Sequence, residues 1–336
     1  KKANNDDDDD DDNNNEQNEA VALDICFPTN GYQSDKATFL ILHGLNGGST
    51  EPYVLDLARC ATREGHTLAV VINRGLMKTP VRGDVTFHGA RTSDVGCAVD
   101  ALHYALYGKG CRTRTTTDTN ADADADANTI KSKIVMVGFS MGGIIVANYA
   151  AKSKHHSGLA GALSFSGTLC TARNLLDCPA ARHSTDIWQT PLAWGLKASI
   201  FKPSMHKFVK KGITVQNVED VQSVREIDTQ LVCKYHGYPT VYDYYKDMSA
   251  GGLGDEHGLQ RLNNTRIPLL AVHAIDDPIT IYEVTLAEHV DQTDNVMLLA
   301  TKHGGHIGWP TGWFPSQNRW KFMMDISMEY AAEVVQ

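Results

Sequence analysis

Ile134-Val135-Met136-Val137-Gly138-Phe139-Ser140-Met141-Gly142-Gly143 is the stretch whose reading decides the fold. Apolar, mostly β-branched residues run into glycine, phenylalanine and serine, and the helix-forming Ile144 to Ala151 follows at once. That order predicts a buried strand, a tight turn with serine at its apex, and a helix without a linker. Gly-x-Ser-x-Gly in this setting is the pattern of a nucleophile held on a strained strand-to-helix turn. Glycines at 138 and 142 leave out side chains where strand and helix would otherwise collide. The bland alternative is a glycine-rich turn with no chemistry, and the strand before and the helix after weigh against it.

A serine hydroxyl is a poor nucleophile without a base, and the base needs an orienting acid. The expected chain order on such a sheet is serine, acid, histidine. An apolar run, Ile267 to Ala274, leads into Asp276-Asp277-Pro278. Asp276 is the preferred acid, with Asp277 then free to cap the next helix, and the choice between the two adjacent carboxylates stays open at this point. A second apolar run, Met297 to Ala300, leads into His303-Gly304-Gly305-His306. His306 is the expected base, because two glycines let the backbone bring its imidazole over the serine. Neutral imidazole takes the serine proton, so activity is expected to rise with pH through the histidine's titration. A His-x-x-His metal pair is the competing reading of His303 and His306. It lacks the His-Glu-x-x-His helix and a third ligand, so no metal is expected.

The oxyanion formed on attack needs two backbone N–H donors. Met141, just after the nucleophile, is one; the turn His43-Gly44-Leu45-Asn46-Gly47-Gly48-Ser49 is expected to supply the other from Leu45. Read as a phosphate loop, this turn lacks both the Gly-Lys-[Ser/Thr] ending and Gly-x-Gly-x-x-Gly, so no cofactor is expected.

Short apolar strands fit at 38–43, 67–73, 133–139, 160–166, 268–274 and 295–300. Helices fit at 52–64, 92–107, 142–153, 281–290 and 318–334. Their alternation predicts a mostly parallel sheet covered on both faces, with the active site at the carboxyl ends of its strands. Residues 168–265 break this rhythm and are rich in aromatics, among them Trp188, Trp194, Phe201, Phe208, Tyr235, Tyr238, Tyr242, Tyr244 and Tyr245. This region is expected to form a mainly helical cap, with most of these rings filling the interface between cap and core.

The chain has 336 residues, a net charge of −9 and 42% hydrophobic residues, enough for one domain (19–336) with an insertion. Most of the charge lies in residues 1–16, where two lysines meet eight acids. The tail 1–18 and the Asp/Thr/Ala-rich insertion 112–129 are expected to be disordered. The remaining body has no basic balance, so nucleic acid is not an expected partner. Seven scattered cysteines without Cys-x-x-Cys point to reduced thiols and an intracellular setting. No run approaches the roughly 20 apolar residues of a membrane span. The chain begins at Lys1 without methionine, so an upstream anchor or targeting segment is compatible with it.

Together these segments resemble the α/β-hydrolases, in particular the YheT-like or embryogenesis-associated branch that includes acylglycerol and phospholipid hydrolases. Beyond the triad, the resemblance is carried by His43 to Ser49, Asn73-Arg74-Gly75, Phe87, Gly89, Thr92, Asp94, Arg225-Glu226-Ile227-Asp228, Gly237-Tyr238, Tyr244-Tyr245 and Gly304 to Trp309. It implies the α/β-hydrolase fold over about residues 20–335. It also implies Ser140 as nucleophile, Asp276 as acid, His306 as base, and hydrolysis of carboxylic esters such as acylglycerols or phospholipids. A small-molecule ester or lipid is then the expected partner, met in the cytoplasm or at a peripheral membrane or lipid-droplet surface. Acyl transfer to alcohols and a non-catalytic ligand receptor are the alternatives. The insertion 112–129 is not part of the resemblance.

Overall fold

The computed structural model describes residues 19–108, 132–152, 158–314 and 316–336; the tail 1–18 and the insertion expected at 112–129 lie outside them. The strands are β1 (Ala22–Cys26) and, where apolar residues predominate, β2 (Thr38–Leu42), β3 (Thr67–Ile72), β4 (Ile134–Phe139), β5 (Gly161–Phe165), β6 (Leu269–Ala274) and β7 (Val296–Thr301). They make one sheet in the order β1-β3-β2-β4-β5-β6-β7. All neighbours are parallel except β1, which pairs antiparallel with β3. That edge strand is not among the expected ones, because β1 is short and half exposed and carries no long apolar run.

Side chains alternate across each strand and so build two cores. Phe39, Ile41, Val135, Val137 and Phe139 face one side, against α1 (Pro52–Arg63) and the terminal helix Lys321–Val334. Leu40, Leu42, Ile134 and Met136 face the other, against α2 (Ser93–Tyr107) and α3 (Met141–Lys152). Proline at the first position of α1 suits a helix start, since its missing N–H would be unpaired there. The helix expected at 281–290 is instead two short turns, Tyr282–Thr285 and Ala287–Val290. They are broken at Leu286, which is buried in the second core with φ 52°.

Between β5 and β6, helices from Thr171 to Asn263 replace the strand-helix rhythm. Phe201, Phe208, Tyr235, Tyr244 and Tyr245 are buried as the pattern predicts, while Trp188, Trp194 and Tyr242 are exposed. The rings of Phe201, Phe208 and Tyr235 pack in series at 4.7–4.8 Å. Among the described residues, no helix is long and apolar enough to cross a membrane.

Candidate active site

Ser140 lies between the last residue of β4 and the first of α3, with φ 53°. That left-handed conformation is strained for a residue with a Cβ and is retained where surrounding structure enforces it. Here the enforcement is backbone: Ser140 N–H donates to Phe165 O at 2.8 Å, and Ile144 N–H donates to Ser140 O at 3.0 Å. The flanking glycines are required by close approach. A Cβ on Gly142 would lie 2.1 Å from Leu42 O, and one on Gly138 would lie 2.3 Å from Gly142 O.

His306 Nε2 is 2.8 Å from Ser140 Oγ. Its other nitrogen, Nδ1, is 2.8 and 3.0 Å from the two carboxylate oxygens of Asp277. The consistent tautomer has Nδ1–H donating to Asp277, leaving Nε2 to accept the serine proton. The expected acid, Asp276, does not touch His306. This is a correction, and its cause is the turn after β6. Adjacent residues there point opposite ways. The Asp277 carboxylate turns inward, fully buried, and accepts Ile279 N–H (2.9 Å), Thr280 N–H (3.0 Å) and Thr280 Oγ1–H (3.0 Å). Asp276 faces outward and accepts Gly304 N–H and Gly305 N–H, each at 2.9 Å, beside His303 at 3.1 Å. Two neighbouring aspartates thus hold one loop: one grips the imidazole, the other the backbone just before it. His303 and His306 turn to different carboxylates rather than to one centre.

Burial alone would raise the Asp277 carboxyl. The hydrogen bond and charge of His306 and the Thr280 amide outweigh it and hold the group below the usual carboxylate range. The carboxylate therefore stays ionised where it must orient an imidazole. His273, buried on β6 beneath this turn, lies 3.1 Å from Thr280 O through Nε2 and is kept below its usual range mainly by burial.

Met141 is the first residue of α3, so its N–H has no acceptor within the helix. In the turn after β2, Gly44 N–H donates to Tyr53 Oη (3.0 Å) and Gly47 N–H to Gly44 O (3.1 Å), leaving Leu45 N–H without an acceptor among the described residues. Gly44 sits against the serine: a Cβ on it would be 3.6 Å from Ser140 Cβ. His43 braces the turn. It donates from Nδ1 to Gly44 O (2.8 Å) and accepts Asn73 N–H at Nε2 (3.3 Å). Acceptance at Nε2 needs neutral imidazole, and burial lowers its pKa accordingly.

Sequence reasoning preferred Asp276 to Asp277 as the partner of His306, and missed the bracing role of His43 and the part played by Arg74. Buried Arg74 makes a two-pronged pair with Asp94, 2.7 Å on each prong, and also meets Glu19. This explains the Asn-Arg-Gly segment as an anchor for the loop after β3.

A general model of the α/β-hydrolase fold matches residues 37–159. The chain has the α/β-hydrolase fold. It is similar to phospholipase ABHD3 of Homo sapiens, 28% identical over 288 residues, covering 85% of this chain and 61% of that protein. It is similar also to the putative esterase YheT of Escherichia coli, 24% identical over 302 residues, covering 89% of this chain and 78% of the other. Both lie in the branch that the motifs resemble. The chain spans about three fifths of the length of relatives such as the human phospholipase. Among solved structures, Est1E of Butyrivibrio proteoclasticus, with ferulic acid bound, shares the fold: TM-score 0.51, 15% identity, 94% of this chain and 95% of that one.

Proposed function

We propose that this chain hydrolyses carboxylic esters of acyl lipids, such as acylglycerols or phospholipids, through an acyl-enzyme. The observation that carries the reading is the continuous line from Asp277 through His306 to Ser140, 2.8 Å on each side of the imidazole. Ser140 Oγ attacks the ester carbonyl as its proton passes to His306 Nε2. Asp277 holds the tautomer and stabilises the imidazolium. The Leu45 and Met141 amides meet the oxyanion. His306 then gives its proton to the leaving alkoxide, the alcohol departs, and the acyl group stays on Ser140. Water, deprotonated by the same imidazole, releases the acid and returns the proton to serine.

Support for a lipid-facing setting comes from the loop that leaves His306. From Lys302 to Lys321 there is no Asp or Glu, in a chain of net charge −9. Within it Trp313 is 97% and Phe314 66% exposed. The loop is pinned by Trp309, which is buried and donates from Nε1 to Thr301 Oγ1 at 2.8 Å. Exposed aromatics with basic neighbours suit the boundary of an anionic lipid surface. The name of the human relative, a phospholipase, agrees with such a substrate.

The test is turnover of a short-chain nitrophenyl ester together with fluorophosphonate labelling. The reading requires a burst of nitrophenolate and labelling of the wild type, and a loss on the order of a million-fold in turnover with no labelling in Ser140→Ala. A folded wild type that neither turns over nor labels would overturn it.

A further inference from the structure

Asn46 follows Leu45 directly, and its backbone is strained: φ is 60°, in the left-handed region. Asparagine tolerates that region better than most residues, but glycine tolerates it better still. The side chain shows what asparagine adds. Its Oδ1 lies 2.8 Å from the Ser199 hydroxyl, whose single proton it shares with Gly195 O, also at 2.8 Å, and its Nδ2 points to Leu192 O at 3.5 Å. Both partners belong to the cap, far away in sequence. Ser199 sits in Lys197–Phe201, a stretch wound more widely than an α-helix; such an insertion re-aims the side chains around it. The cap also leaves room for the amide: a Cβ on Gly195 would lie 2.4 Å from Asn46 Nδ2.

We infer that Asn46 is a positioning residue that couples the cap to the oxyanion site, so that the Leu45 N–H is aimed only while the cap holds the Asn46 amide. The inference rests on the proposed role of Leu45. β2 carries the turn, His43 braces its start, Gly47 N–H donates back to Gly44 O, and Asn46 ties the end away from β2 to the cap. A cap lifted from Asn46 releases that end and weakens charge stabilisation in the transition state, while ground-state binding of a small ester is little changed.

Asn46→Gly separates the two roles of the residue. It satisfies the backbone conformation and removes the tether. The expected result on a short-chain nitrophenyl ester is a kcat about tenfold lower with KM within twofold. Ser199→Ala, made in the cap, gives the same pattern. The double variant is no worse than Asn46→Gly alone, since both substitutions remove the contact between Asn46 and Ser199. Asn46→Asp keeps the acceptor for Ser199 and restores part of kcat. Hydrogen exchange supplies a readout independent of activity: Ser199→Ala raises amide exchange in residues 44–48. Additive losses, an unchanged kcat in Asn46→Gly, or unchanged exchange in 44–48 would overturn the inference. If exchange in 44–48 rises but the wild type shows no turnover, the link stands and the reading of the site falls.

Discussion

The carboxyl edge of the sheet and the cap above it are built in opposite ways. At the sheet edge, backbone places the chemistry. Ser140 is fixed by Phe165 O and by the start of α3, and Gly142 lets the helix touch the end of β2. The cap is a set of short helices that shares an apolar core with the sheet and adds side-chain hydrogen bonds to the body. Tyr244 Oη accepts Gly89 N–H at 2.9 Å, and Asn46 meets Ser199. Asp247 of the cap meets Lys152 of α3 at 2.5 Å, while Asn148 Nδ2–H donates to Asp247 O at 2.9 Å. The difference teaches where precision and adjustability reside. Backbone fixes the reacting atoms, and the side-chain hydrogen bonds of the cap are the contacts that can be exchanged without breaking the pairing of the sheet.

Substitution of glycine breaks this comparison most sharply. Gly142→Ala drives a Cβ into the Leu42 carbonyl, a backbone group with nowhere to go. A loss of about 3 kcal/mol in unfolding free energy is expected, at the upper end for overpacking, measured by denaturant titration. A loss below about 1 kcal/mol would show that the sheet edge yields as easily as the cap.

The two regions also answer pH in opposite directions. Burial pushes the Asp228 carboxyl in the cap up to about 7, against a hydrogen bond from the Tyr245 hydroxyl at 2.9 Å. The folded state keeps a proton that the unfolded chain gives up at its ordinary carboxyl value. Stability from this group is therefore greatest at low pH and falls as pH rises through the window between that value and about 7. Asp277 has the opposite sign: its folded value is lowered, so its contribution is present above the ordinary carboxyl range and lost as pH falls through the folded value. Asp228→Asn is expected to raise Tm by several degrees more at pH 8 than at pH 5, read by thermal melts. An equal change at both would contradict the assignment.

A smaller effect separates the aromatic surfaces of the two regions. Trp194 on the cap is 60% exposed and Trp313 on the loop after His306 is 97% exposed; both lie in acid-free stretches, 187–218 and 302–321, and Trp313 is the more exposed ring, next to exposed Phe314. Combined Trp313→Ala and Phe314→Ala substitutions are expected to weaken flotation with phosphatidylglycerol-containing vesicles about tenfold. Trp194→Ala is expected to leave it within twofold, and both variants keep hydrolysis of a soluble ester. The reverse order would assign lipid contact to the cap.

The sheet was legible because apolar residues predominate in its strands other than β1 and because a strand-turn-helix with serine at its apex has few alternatives. Ser140 and His306 were read for the same reason: each sits in a glycine setting that only a close approach demands. Asp277 was not, because nothing in Asp-Asp-Pro tells which carboxylate turns inward. That depends on the amides of Ile279 and Thr280, which only the folded turn presents. The edge strand β1 lacked a continuous apolar run. The cap's outline followed from its aromatics, but the exposure of Trp194 and the grip of Ser199 on Asn46 arise from contacts between segments about 150 residues apart, which local pattern does not record.

Fluorophosphonate labelling rates of wild type, Asp276→Asn and Asp277→Asn at one alkaline pH test the central claim most directly. The account predicts that Asp277→Asn slows labelling on the order of 10,000-fold, as loss of the orienting acid does in serine proteases. Asp276→Asn, which loosens only the backbone before His306, is predicted to slow it by about tenfold or less, in line with a group that acts through positioning alone. A large loss in Asp276→Asn with near-normal labelling in Asp277→Asn would contradict the account.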